Sequence, residues 1–76
     1  MNLLELGNAI RKIRKERGLS QERLAKEVKI SRATLSKLEN GQIANISIVT
    51  FNDILNHLGY EIDIKPLNPF ANSTFL

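Results

Sequence analysis

Cysteine is absent from this 76-residue chain. That excludes disulfides and thiolate metal sites and gives no reason to place the protein in an oxidising compartment. No run approaches the roughly eighteen uninterrupted apolar residues of a membrane-spanning helix. The opening Met-Asn-Leu-Leu-Glu-Leu-Gly lacks a basic segment followed by an apolar one, so no signal peptide is expected and a cytoplasmic protein is. The single histidine, His57, has no second histidine and no clustered pair of carboxylates to work with. Catalysis, a metal site and a cofactor therefore find no support, and the expectation is a protein that is not an enzyme. Repeats, low-complexity tracts and Pro/Gly-rich linkers are missing too, so the length allows one domain. A chain this short buries only a modest core and often relies on a partner chain.

What is present is charge, unevenly placed. Ten of the eleven basic residues lie between Arg11 and Lys37 against three acids, a local net charge of +7. From residue 38 onward four acids face Lys65 alone, a net charge of −3. One half of the chain suits a polyanion and the other does not. The basic window contains no aromatic residue. This argues against single-stranded RNA, whose unpaired bases are usually stacked on exposed rings.

Hydrophobic spacing divides the chain into four helical segments. Leu3, Leu6, Ile10 and Ile13 recur every three or four residues and predict a helix from Leu3 to Arg17, stopped by Gly18. Ser20 reads as an N-cap, followed by Glu22 in the first turn and by Leu24, Ala25 and Val28 on a buried side. Ser31 reads as a second cap, before a helix with Leu35 and Leu38 inward and Asn40-Gly41 at its end. Ser47 opens a fourth, whose apolar stripe is Ile48, Phe51, Leu55 and Leu58 with Ile54 alongside, ended by Gly59. Then the period changes to two. Tyr60, Ile62 and Ile64 alternate with Glu61, Asp63 and Lys65, which predicts a strand over 60–66 closed at Pro66. Residues 67–76, with Phe70 and Phe75, read as a tail that is flexible or binds a partner.

Two short helices, Ser20–Glu27 and Ser31–Asn40, joined by about three residues, form a helix-turn-helix. Close crossing needs a small residue, and Ala25 stands there. In such a unit the second helix enters the major groove and presents its first residues to base edges. Arg32, Ala33, Thr34, Ser36 and Lys37 are the candidates for base reading. Arginine can donate a bidentate pair to guanine, Ala33 and the Thr34 methyl can meet thymine methyls, and Ser36 can pair with several groups. Arg23, Lys26, Lys29 and Ser31 are the candidates for the DNA backbone.

The run from Leu19 to Gly41, LSQERLAKEVKISRATLSKLENG, resembles the Xre/Cro/phage-repressor family over about residues 6–59. The resemblance implies a mostly α, four-to-five-helix lambda-repressor-like domain over 1–59 that binds double-stranded DNA. It also implies that Gln21, opening the second helix, buttresses the first DNA contacts. The turn departs from the family pattern, because Lys29 stands where glycine is most often found. The added strand is similar to that of HipB-type antitoxins, in which it pairs with its copy across a homodimer. That resemblance implies a repressor of its own operon whose partner is a HipA-like kinase toxin. The alternative within the family is a stand-alone phage or chromosomal regulator without a toxin, and outside it an interaction adaptor.

Overall fold

Each helix begins where a short polar side chain accepts a backbone N–H. In the computed structural model, which describes residues 2–43 and 46–67, the Asn2 Oδ1 accepts from Glu5 N at 2.8 Å. The hydroxyls of Ser20, Ser31 and Ser47 accept from Arg23, Thr34 and Thr50 at 3.0, 3.0 and 3.1 Å. Such caps are each worth about 1 kcal/mol. They start α1 (Leu3–Glu16), α2 (Gln21–Glu27), α3 (Arg32–Glu39) and α4 (Ile48–His57). Three of the caps were legible as serines, and Asn2 adds the fourth. The helix count settles at the lower of the two expected values, four, among the described residues.

All four helices contribute to one core. Ile10, Leu24, Ala25, Leu35, Leu38, Ile54 and Leu58 are buried, ringed by half-buried Leu6, Ile13, Val28, Ile30, Phe51 and Leu55. The apolar stripe of α4 is rotated from the expected one: Ile54 and Leu58 are its buried centre, while Ile48 lies out in solvent. Leu3, expected on the inner side of α1, is exposed as well. Both residues open their helices, and those first turns overhang the core.

The backbones of α1 and α3 come closest at Gly7. A Cβ there would stand 2.5 Å from the Leu38 carbonyl oxygen and 2.7 Å from that of Glu39. Spacing alone gave no sign of this crossing. Ala25 is buried as expected.

The turn between α2 and α3 closes through Ile30 N donating to Ala25 O at 2.9 Å, the long bond of a Schellman ending. This requires Lys29 in the left-handed region, at φ 60°. A side chain there costs on the order of 1 kcal/mol. Lys29→Gly is expected to raise the unfolding free energy by about 0.5 kcal/mol, the strain relief exceeding the added unfolded-state entropy. Urea denaturation measures it, and a loss of stability would mean that the lysine stem contributes packing greater than its strain.

Beyond Gly59 the chain turns back once, Tyr60 N donating to Leu55 O at 2.8 Å. Residues 61–67 are then exposed, without helix or ladder. The strand expected over 60–66 is thus not paired within the chain, and no strand occurs among the described residues. The physical reason is simple: among the described residues no second strand-forming segment lies beside it. The tail expected over 67–76 lies, beyond Leu67, outside the described residues.

Candidate nucleic-acid interface

Seven- and eight-residue helices separated by a tight turn leave α3 packed by one side and open on the other. Leu35, Leu38 and Glu39 face inward, whereas Arg32, Ala33 and Lys37 are exposed and Thr34 and Ser36 half-buried. Gln21, at the start of α2, lines one open recess together with Arg32, Ala33 and Ser36. Four of the expected DNA-contacting residues are thereby brought together from two helices. Thr34 is less available for polar recognition, since its hydroxyl lies 2.7 Å from that of Ser31. Its methyl remains the part suited to a thymine contact. The Ser31 oxygen already accepts the Thr34 N–H as the cap of α3.

The remaining backbone candidates lie elsewhere. Arg23 and Lys26 share the outer side of α2 with Glu22 and Glu27, and Arg23 Nε pairs with Glu27 at 3.4 Å. Lys29 borders a different depression, with Asp53, Asn56 and His57. His57 lies 3.2 Å from Glu27 and ties the end of α4 to that of α2.

Beneath the recess is a network that the charge pattern had hidden. Arg14 of α1, 6% exposed, donates to both oxygens of Glu39, 2% exposed, at 2.7 and 3.1 Å. Its third contact is Nη1 to the Leu19 carbonyl at 2.8 Å. Gln21 Nε2 then donates to the same Glu39 carboxylate at 3.0 Å. One buried carboxylate therefore joins α1, α2 and α3 and holds the Gln21 amide at the edge of the recess. Among the described residues no buried side-chain polar atom lacks a hydrogen-bond partner, as a burial this costly requires. Arg14 had been counted in the basic window. Removing it leaves +6 facing solvent, still strongly one-sided. The available signal was positional: Gly7, Ile10 and Arg14 share one face at spacings of three and four, so Arg14 sits in the buried stripe.

With this geometry in view, comparison with known proteins is direct. A helix-turn-helix family model matches residues 10–65. The chain belongs to the helix-turn-helix family. Antitoxin HipB of Escherichia coli O6:H1 is 41% identical over 70 residues, covering 88% of this chain and 73% of that protein. Two solved structures, of a HipA-HipB-O2-O3 complex and of a HipB-O4 20mer complex, each superpose with a TM-score of 0.76 at 31% identity. Each match covers 90% of this chain and 94% of the other. The helix-turn-helix of this family is the α2–α3 pair, and the matched region runs beyond it through α4 and into the C-terminal extension. Among the described residues no helix is long and apolar enough to cross a membrane.

Proposed function

We propose that the protein is a sequence-specific double-stranded-DNA-binding repressor, the antitoxin of a HipBA-like operon that it autoregulates. The observation that carries this reading is the recess formed by Gln21 with Arg32, Ala33 and Ser36 on an exposed α3, within a domain matched to HipB. HipB itself has been solved with HipA and with an O4 20mer, which supports operator DNA and a HipA-like kinase as partners here. In this reading Arg32 carries the strongest base contact, with Ala33, Thr34, Ser36 and Lys37 completing the read sequence. Gln21 and Ser31 meet the DNA backbone near the recess, and Arg23, Lys26 and Lys29 meet phosphates from its flanks.

The test is Arg32→Ala against duplexes chosen by site selection and against their scrambled counterparts. Specific binding should fall by about 1–3 kcal/mol, with little change on scrambled duplex, because a bidentate guanine contact is lost. An equal loss on both would reduce Arg32 to a phosphate contact.

The operator is read by a homodimer. The extension exposes Tyr60, Ile62 and Ile64 with no ladder partner of its own, and a two-fold axis makes an antiparallel pair from two copies of one segment. Deleting residues 60–76, or Ile62→Pro, should raise the dimer dissociation constant and lower operator affinity while leaving single half-site binding unchanged. Sedimentation equilibrium decides it, and an undiminished dimer would remove the strand from the interface.

A further inference from the structure

The cations of the basic window are not equivalent. Arg14 is buried on Glu39, Arg17 Nε donates to the Leu58 carbonyl at the end of α4 at 3.1 Å, and Arg23 pairs with Glu27. Lys12 shares its face of α1 with acids, Glu5 two turns before it and Glu16 one turn after it. Arg11 and Lys15 differ from all of these. Both are exposed, and among the described residues neither forms an ion pair. They stand one turn apart on the same face, an arrangement of like charges that weakens a helix slightly. An anion lying between them turns that repulsion into attraction.

Contacts along α1 fix where this face points. Gly7 abuts the Leu38 and Glu39 carbonyls of α3, and the Leu4 backbone lies against Gly41 just past that helix. Arg11 follows Gly7 by one turn and Leu4 by two, and Lys15 continues the row by one more. The row therefore runs on the α3 side of α1, away from the side on which Arg17 reaches α4. Its C-terminal end also comes up to the recess. Arg14, next to Lys15, holds Glu39, and Glu39 holds Gln21. Arg11 and Lys15 thus continue the surface of Gln21 and α3.

We propose that Arg11 and Lys15 form a second grip on operator phosphates, outside the helix-turn-helix, which extends the contacted backbone past the base pairs that α3 reads. Within the DNA-binding reading above, on which it depends, the grip adds residues of α1 to those of α2 and α3. The spacing suits a duplex. Four residues of helix rise about 6 Å, and one strand carries a phosphate about every 3.4 Å along its axis, so the two cations match two consecutive phosphates. Contacts of this kind position the protein without reading sequence.

The experiment uses the full chain with Arg11→Gln and Lys15→Gln, singly and together, against a selected duplex and its scrambled counterpart over a range of salt. Each substitution removes one phosphate contact per protomer. The slope of log binding constant against log salt should therefore become shallower by about 2 for the dimer, and affinity should fall roughly tenfold on both duplexes. Lys15→Arg should bind like the unsubstituted chain, Lys12→Gln should leave the slope unchanged, and thermal melting should show every variant folded. Unchanged slopes in the Arg11 and Lys15 variants, with Arg32→Ala still losing the selected duplex, overturn the grip and leave the DNA-binding reading standing. An equal change in Lys12→Gln reduces the effect to the overall charge of α1 and overturns the grip as well. Absence of duplex binding by the unsubstituted chain overturns both.

Discussion

Gly7→Ala is expected to destabilise the protein by about 3 kcal/mol, a lowering of the melting temperature on the order of 15 °C for a domain of this size. The sign is opposite to that of an ordinary helix substitution, where alanine gains about 1 kcal/mol over glycine. It reverses because the new methyl would stand 2.5 Å from a backbone carbonyl oxygen of α3. A rotamer change cannot relieve that contact. Either α1 shifts away from α3, or the last turn of α3 deforms. Calorimetry gives the magnitude. A neutral or stabilising result would show that the α1–α3 crossing opens at little cost.

The second large effect is expected at the buried ion pair. Glu39→Ala leaves the Arg14 guanidinium without its carboxylate in a nearly dry site, and Arg14→Ala does the converse. Each should cost about 3–5 kcal/mol in denaturant unfolding, a large share of the roughly 4–11 kcal/mol available to a 76-residue domain. Removing both charges is a different perturbation. An Arg14→Met/Glu39→Leu protein should regain most of the loss, since an apolar pair of similar volume avoids the desolvation of two ions. Operator affinity should not return with stability, because the Gln21 amide has lost the carboxylate that holds it. Recovery of both together would confine the pair to a structural role.

Much of this was readable from the chain because the signals are local. Ser20, Ser31 and Ser47 sit before apolar periodicities, and the structure finds all three as caps. Gly18, Gly41 and Gly59, expected as stops, have φ between 72° and 88°, and Lys29 takes the left-handed turn position at which it had been noted. What escaped depends on contacts distant in sequence. Gly7 meets residues more than thirty positions away, and nothing in its neighbours signals an approaching helix. Arg14 and Glu39 are 25 residues apart, and composition counts them with the surface charges they resemble. The α4 stripe was misjudged by one helical position because five apolar residues crowd it, and only packing selects Ile54 over Ile48. The recess was half legible. Arg32, Ala33 and Ser36 followed from their place on α3, whereas Gln21 came from resemblance and acquired its physical anchor, Glu39, only in three dimensions.

The division of α3 into two sides has an evolutionary consequence. Leu35, Leu38 and Glu39 fasten the helix, while Arg32 and Ala33 are exposed and take no part in the core. Substitutions at such exposed positions typically change stability by no more than about 0.5 kcal/mol. In the proposed reading, in which Arg32 and Ala33 meet base edges, a duplicated gene can therefore drift to a new DNA sequence through these two side chains without passing through an unfolded intermediate. Related repressors in one genome can in this way become deaf to each other's operators while keeping a common scaffold.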